Sequence, residues 1–433
     1  MPYLLNAVYL LLLLALTPWL LVTSLRTGKY REGLLRKLLG LVPVRRGDRP
    51  CVWFHAVSVG EVLLLRQVVA RFRERYPDWD CVISTTTNTG SEVARTTFPD
   101  LSVFYWPLDF TWAVRRALQR IRPSVVVLAE LELWPNFIAL ARRRGCRLAV
   151  INGRMSHRSY RGYRRIRRLM AQLLGRLDVL AVQNELYAKR LLDLGAPADR
   201  VAVTGSVKFD GASGERANPK TRALGELLGI ARGQLVWVAG STQAPEEQIV
   251  LDIYRRAKPV FPNLRLVLVP RHKERFAEVA ALLAASGLPF VCRSRLTAPV
   301  EVPDAVVLLD TLGELGALWG LADVAFVGGS IHPRGGQNLI EPAAYGAAVI
   351  FGPHVWNFQD TADRLLEHGA AVQVADAAAL ERETLRLLRD AGARAALGNA
   401  ARAFVQSQQG ATDRTLDLLA PLFVSPGSSA RAA

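Results

Sequence analysis

The sequence predicts an α/β chain of two doubly wound domains, each a mostly parallel sheet covered by helices, preceded by an N-terminal membrane-anchor helix. Three observations predict it. Short Val-rich runs alternate with amphipathic helical stretches, the pattern of successive βα units. The alternation pauses near residue 210 and then resumes, and 433 residues exceed what one core usually organises. Ahead of the first run lies an uncharged segment, residues 3–25, dominated by Leu, Ala and Val.

That apolar segment is long enough to cross a hydrocarbon core of roughly 30 Å as a helix. A cleaved signal peptide carries its positive charge before the apolar run, whereas Arg26, Lys29, Arg31, Arg36, Lys37, Arg45 and Arg46 all follow it here. The positive-inside rule then puts the body on the cytoplasmic face of a membrane. A buried helix, or a monotopic hairpin interrupted near Pro18, is the alternative. The segment precedes every strand and contributes no motif of its own.

The expected division is 1–25 anchor, 26–47 basic juxtamembrane segment, 48–209 first domain, 210–232 linker, 233–425 second domain and 426–433 flexible tail. Strands are expected at 51–57, 81–87, 125–130, 148–152, 179–184 and 201–207 in the first domain. The second should hold strands at 235–241, 264–270, 306–310, 324–329 and 349–353.

Lys and Arg number 55 against 38 Asp and Glu, a formal net charge of +17, which favours an anionic partner. No zinc-finger spacing, RNA-binding aromatic signature or helix-turn-helix pattern stands out, so a membrane surface or an anionic substrate ranks above nucleic acid. Cys51, Cys81, Cys146 and Cys292 are scattered and read as reduced core residues. No His, Cys or carboxylate cluster has metal-ligand spacing, and no metal or cofactor is expected.

In open α/β sheets ligands bind beyond the carboxyl ends of the strands, so polar residues there are the functional candidates. Ser58-Val59-Gly60-Glu61 follows the first run and opens a helix. Its S-x-x-E spacing is that of a capping box, yet the Glu61 carboxylate is equally placed to be a general base. Thr85-Thr86-Thr87-Asn88-Thr89-Gly90-Ser91 suits sugar or phosphate oxygens, though an ordinary helix cap has the same composition. Glu130-Leu131-Glu132-Leu133-Trp134-Pro135-Asn136 places two acids at a strand exit, where burial without partners is costly. Lys208, in Gly205-Ser206-Val207-Lys208-Phe209-Asp210, is either a solvated lysine or a counter-charge facing a cleft between the domains.

In the second half, Gly240-Ser241-Thr242 and Val269-Pro270-Arg271-His272 each end a strand, and arginine beside a small hydroxyl loop suits phosphate. His272 is assigned no chemistry. Leu312-Gly313-Glu314 follows another strand. Gly328-Gly329-Ser330-Ile331-His332-Pro333-Arg334-Gly335-Gly336-Gln337-Asn338-Leu339-Ile340-Glu341-Pro342 reads as a glycine-rich loop feeding a helix near Asn338, which would present free N–H groups to an anion, with Glu341 available to a ribose. Asp78-Trp79-Asp80 has the form of a metal–nucleotide site but precedes a strand, at the wrong end of the sheet. The arginine-rich stretch Arg154, Arg158, Arg161, Arg164, Arg165, Arg167 and Arg168 is either a solvated basic helix or a surface for lipid phosphates.

Together these motifs, with His55-Ala56-Val57 before Ser58 and Asn152-Gly153-Arg154-Met155-Ser156, resemble the Kdo transferases over nearly the whole chain. Those enzymes move 3-deoxy-D-manno-octulosonic acid (Kdo) from its CMP-activated form onto the lipid A precursor in lipopolysaccharide synthesis. The resemblance implies a GT-B fold, with the acceptor held mainly by the first domain and CMP by the second. It implies Glu61 as catalytic base, Glu130 and Lys208 as residues that stabilise the transition state, and Pro270, Arg271, Leu312, Gly313, Glu314, Asn338, Leu339, Ile340 and Glu341 as CMP-binding positions. Leu339-Ile340 and Ser206-Val207 depart slightly from the family pattern and touch fine specificity. The expectation is an inverting transferase at the bacterial inner membrane. A hydrolysing nucleotide-sugar epimerase of the same architecture and a non-catalytic membrane-tethered binding protein are the alternatives.

Overall fold

The computed structural model describes residues 2–27, 33–212, 214–300, 302 and 304–424; in the first helix the side chains at 2, 4, 16 and 18–27 lie outside that description. The chain divides into two compact units, Met1–Gly211 with Gln409–Ala433, and Ala212–Gln408.

The first unit holds β1 (Cys51–Ala56), β2 (Asp80–Thr85), β3 (Ser102–Tyr105), β4 (Val125–Ala129), β5 (Arg147–Gly153), β6 (Val179–Val182) and β7 (Val201–Val203) in the order β3-β2-β1-β4-β5-β6-β7. All described pairings are parallel. Both faces of such a sheet must be covered, which is why β1 and β4 are buried along their whole length and read as continuous apolar runs. Along β1, Cys51 and Trp53 enter one core and Val52, Phe54 and Ala56 the other. The order turns back between β1 and β4, so the loops leaving these two strands flank the switch point where a doubly wound sheet binds its ligands.

The second unit repeats the plan with β8 (Leu235–Thr242), β9 (Leu264–Pro270), β10 (Phe290–Cys292), β11 (Val306–Leu308), β12 (Val324–Val327), β13 (Ala348–Phe351) and β14 (Val372–Gln373). Their order is β10-β11-β9-β8-β12-β13-β14, and β8 and β12 flank the switch point. Each strand expected from the sequence forms, with ends moved by a few residues; the run at 201–207 stops at Val203, and Val207–Phe209 is a 3₁₀ turn. β3, β10 and β14 were not expected. All three close a sheet edge, where a short strand pairs on one side only and needs no continuous apolar run.

Two boundaries differ from the sequence expectation: residues 212–232, expected as linker, belong to the second unit with the helix Pro219–Leu227, and the chain was kept in the second domain to residue 425. The segment from Gln409 returns to the first unit instead. Asp210 accepts the Gly410, Ala411 and Thr412 N–H groups at the start of the helix Ala411–Leu419. That helix buries Ala411, Leu416 and Leu419, and Phe423 beyond it packs on Phe72 at 4.8 Å between ring centroids. An amphipathic helix shows in sequence that it has a buried face, not which sheet it covers.

The helices of the first unit needed below are α1 (Pro2–Thr27), α2 (Leu34–Leu39), α3 (Val59–Arg75), α4 (Asn88–Thr97), α5 (Thr111–Ile121), α6 (Pro135–Arg143) and α7 (His157–Arg164). α1 occupies the segment expected to be the anchor and packs on α5 and α6 through Asn6 and Tyr9, while Tyr3, Leu11 and Leu14 are exposed. Among the described residues no helix is long and apolar enough to cross a membrane. The four cysteines are buried and unpaired. Asp80 opens β2 at its amino end and pairs with Arg45 at 2.7 Å, the structural role its position predicts.

Candidate functional site

At the first switch point, β1 ends at Ala56 and α3 begins at Val59. Ser58 stands at the N-cap without capping a backbone N–H; its hydroxyl donates to Glu61 Oε1 at 2.9 Å instead. Val57 N–H donates to Glu61 Oε2 at 2.8 Å. The S-x-x-E spacing therefore does not form a full capping box: Ser58 Oγ caps no N–H, and Glu61 takes the N–H of the residue before the N-cap. Each carboxylate oxygen keeps a lone pair beyond these bonds, and Glu61 is 9% exposed. Burial pushes the Glu61 carboxyl above its ordinary value and the nearby Glu130 charge adds to this, while the bonds from Val57 and Ser58 oppose it. A carboxylate so raised is a better proton acceptor than a solvated one.

β4 leads straight into Glu130, which takes a left-handed φ of 55° with its N–H on Ile151 O at 2.9 Å. That bend turns the side chain toward two cations: Arg154 Nε donates to Oε2 at 2.8 Å and Lys208 Nζ to Oε1 at 3.3 Å. Asn152, buried and also left-handed at φ 53°, accepts Val207 N–H at 3.1 Å and so holds the turn carrying Lys208. The two residues implied as transition-state groups, Glu130 and Lys208, are thus an ion pair, and Arg154 completes it. Arg154 and Asn152 lay in the quoted Asn-Gly-Arg stretch, but nothing in it shows which strand end they face.

Glu132 belongs to the same cluster. Burial, then the charges of Glu61 and Glu130, push its carboxyl up to about 7, with the Trp134 indole opposing. His55 does not belong to it. The ring stacks on Trp106 at 3.8 Å, with Nδ1 3.0 Å from Ser84 Oγ, and complete burial pushes it down to about 3, so it stays neutral as part of the core. The threonine segment acts as a cap: Thr87 Oγ1 accepts Gly90 N–H at 3.1 Å and bonds Val57 O at 3.1 Å, tying α4 to the loop that presents Glu61. In the arginine-rich stretch α7 buries no residue, and Arg158, Arg161, Arg165 and Arg168 are exposed.

In the second unit a carboxylate fills the loop after β12. The free N–H groups were expected at the helix near Asn338; in the loop before it, the N–H groups of Gly329, Ser330 and Ile331 all donate to the buried Glu246 carboxylate at 2.6–3.0 Å. Gln243 N–H joins them at 3.0 Å. Gly328 lies so close that a Cβ there would stand 2.8 Å from Glu246 Oε2. The side chain therefore occupies the place of an anion in this nest. The helix expected near Asn338 starts at Ile340 and runs only to Ala344, and Asn338 Oδ1 takes the Ile340 N–H at 3.0 Å. Glu341 is held by Asn338 Nδ2 at 2.9 Å; burial raises its carboxyl, and the Asn338 bond and the Arg271 charge lower it.

Pro270 ends β9 and Arg271 is exposed just past it, its N–H on Thr242 O at 2.9 Å. Glu314 accepts from Arg293 at 2.8 Å and from the Thr311 hydroxyl. A cavity of about 270 Å³ opens beside Gly313 and Glu314, lined also by Lys220, Leu224 and Arg293. Leu339 and Ile340 are buried, so those two positions offer backbone rather than side chains.

Two doubly wound parallel units, each with polar side chains gathered at its switch point, define a chain with the GT-B architecture of glycosyltransferases. The architecture is shared with a solved UDP-GlcNAc 2-epimerase from Neisseria meningitidis, at TM-score 0.57 and 11% identity over 86% of this chain and 100% of that one, a likeness of fold alone. A family model described as 3-deoxy-D-manno-octulosonic-acid transferase matches residues 31–211. The 3-deoxy-D-manno-octulosonic acid transferase of Haemophilus influenzae is 35% identical over 95% of this chain and 97% of its own length. That of Bordetella pertussis is 36% identical over 85% and 86%. This chain belongs to the Kdo transferase family and is a glycosyltransferase.

Proposed function

We propose that the protein transfers Kdo from CMP-Kdo to a sugar hydroxyl of the lipid A precursor, with inversion, in lipopolysaccharide synthesis. The observation that carries this reading is the cluster at the first switch point, a buried carboxylate of raised basicity beside the Glu130, Lys208 and Arg154 ion pairs. Glu61 takes the proton of the acceptor hydroxyl as that oxygen bonds to the anomeric carbon. The bond from that carbon to the phosphate oxygen breaks, and CMP leaves with the electron pair. Glu130 and Lys208 stabilise the charge that develops, in a setting ordered before the substrate arrives. In the second unit Arg271 meets the phosphate, and the positions Leu312 to Glu314 and Asn338 to Glu341 hold the nucleoside. With the nest after β12 filled by Glu246 and the Ile340 N–H taken by Asn338, the phosphate is assigned to Arg271.

We assign α1 and α2 to the membrane. The exposed Leu11 and Leu14 of α1, with Leu34 and Leu35 of α2, supply apolar contact, and the net charge of +17 supplies attraction to anionic lipid. The body then works at the cytoplasmic face of the inner membrane. Incubation with CMP-Kdo, with and without lipid acceptor, tests the reading: CMP release that depends on the acceptor is expected. Release of equal rate without acceptor points to the epimerase class, and no turnover to a binding protein.

A further inference from the structure

α5 and α6 both begin on residues that cannot cap them. Phe110 precedes α5 and Trp134 precedes α6, and neither makes a side-chain cap bond. The first N–H groups of a helix nevertheless need acceptors, above all where the helix end is buried. The acceptors come from elsewhere in the chain. Asp109 takes the Asn136 N–H on Oδ2 at 3.0 Å and the Phe137 N–H on Oδ1 at 2.8 Å, which caps α6. Asn6 of α1 takes the Thr111 N–H at 3.1 Å, which caps α5, and donates to Thr111 Oγ1 at 2.7 Å.

Asn6 also reaches α6. Its Oδ1 accepts from Asn136 Nδ2 at 3.3 Å, and the same amide donates to Asp109 O at 2.6 Å. Tyr9, one turn further along α1, donates to Asp109 Oδ2 at 3.2 Å. Asn6, Asp109 and Asn136 are all buried, so each bond lost leaves a polar group without water. α6 follows Glu130 and Glu132 with only Leu133 and Trp134 between, so the place of its first turn sets the loop that carries both acids.

We propose that Asn6 is a positioning residue for the transfer reaction: the membrane-side helix docks through it onto the starts of α5 and α6 and thereby holds the Glu130–Glu132 loop in place. The segment expected to contribute no motif thus completes one. The inference rests on the transferase reading given above for its catalytic consequence, and on the geometry alone for its structural one.

The test compares full-length wild type, Asn6→Leu and Asn6→Asp in lipid nanodiscs, by amide hydrogen exchange and by kinetics with CMP-Kdo and lipid acceptor. Leu keeps the volume and removes the polar atoms; Asp keeps the oxygen that Thr111 N–H and Asn136 Nδ2 use. In Asn6→Leu, exchange in residues 130–137 is expected to rise roughly tenfold while that of β1 and β2 stays at wild-type level. Its kcat should fall roughly tenfold at unchanged KM for CMP-Kdo. Asn6→Asp should recover most of both losses. Unchanged exchange in residues 130–137, or an unchanged kcat where wild type turns over, overturns the proposal. So does exchange that rises evenly across the first unit in both variants, which marks general loss of structure. A wild type that transfers no Kdo, with the exchange pattern as expected, instead overturns the transferase reading and leaves the docking intact.

Discussion

Glu61 is at once part of a helix start and a candidate base, and its two bonds show how the roles separate. Val57 N–H needs an acceptor and Ser58 Oγ needs a partner of either polarity, so glutamine satisfies both by presenting its oxygen to Val57 and its NH₂ to Ser58. Glu61→Gln should therefore fold normally, with a melting temperature and CMP affinity near wild type, while turnover falls by roughly 10²-fold because glutamine accepts no proton. Turnover, CMP titration and thermal unfolding on one preparation check this; an active Gln variant removes Glu61 from the mechanism. Glu132 tests the cluster by pH. Its carboxyl stands at about 7 in place of its ordinary 4.5, so the folded chain retains a proton that the unfolded chain releases within that window. Stability is then lost as pH rises from about 4.5 to about 7, the opposite of a salt-bridged carboxylate. Glu132→Gln should leave the melting temperature nearly unchanged at pH 5 and raise it at pH 8; equal shifts at both pH values would contradict the raised carboxyl.

At the scale of elements, the turns that matter are held by side chains from outside them. Glu246 opens the helix Glu246–Ala257 and gathers four backbone N–H groups from two loops. Glutamine there turns an NH₂ toward N–H donors that have no other acceptor, an unpaired buried arrangement costing about 3 kcal/mol. Glu246→Gln should thus lower stability by that order and weaken CMP binding, since the loop after β12 flanks the second switch point. Denaturant unfolding and CMP titration measure both, and a variant of wild-type stability would mean the nest tolerates an amide. α5 and α6 follow the same rule, with Asn6 and Asp109 in the capping places that Phe110 and Trp134 cannot fill.

For the whole molecule, the return of the chain past Gln409 makes the first unit depend on the last residues described. Phe423 meets Phe72, Tyr76 and Trp79 at centroid distances of 4.8, 4.9 and 5.2 Å, and Arg75 pairs with Asp413 and Asp417. Ending the chain at Gln408 should raise hydrogen exchange in α3 and β6 of the first unit and leave CMP affinity, proposed above for the second, within about twofold of wild type. A loss of CMP affinity with α3 unaffected would reverse that assignment.

The sequence by itself determined the class of fold, the central strands and the loops worth watching. These rest on local features: short β-branched runs such as 125–129, alternating with helical stretches, read as buried parallel strands, and a carboxylate that follows such a strand lies at the carboxyl edge of the sheet. It also placed Glu61 and Glu130 at strand ends, where the structure finds them beside one switch point, whereas Lys208 reaches Glu130 from a 3₁₀ turn beyond the edge strand β7. Only the tertiary structure decided what each polar group meets. That Glu130 takes Arg154 as well as Lys208, that Glu246 fills the nest after β12, that Asn6 caps a helix 105 residues away, and that the last helix covers the first sheet are all choices of partner. The edge strands β3, β10 and β14 escaped for the related reason that half their pairing partners are absent. Periodicity along a chain records which face is buried, but a hydrogen bond or an ion pair is satisfied by any suitable group that packing brings within about 3 Å, and packing belongs to the folded whole.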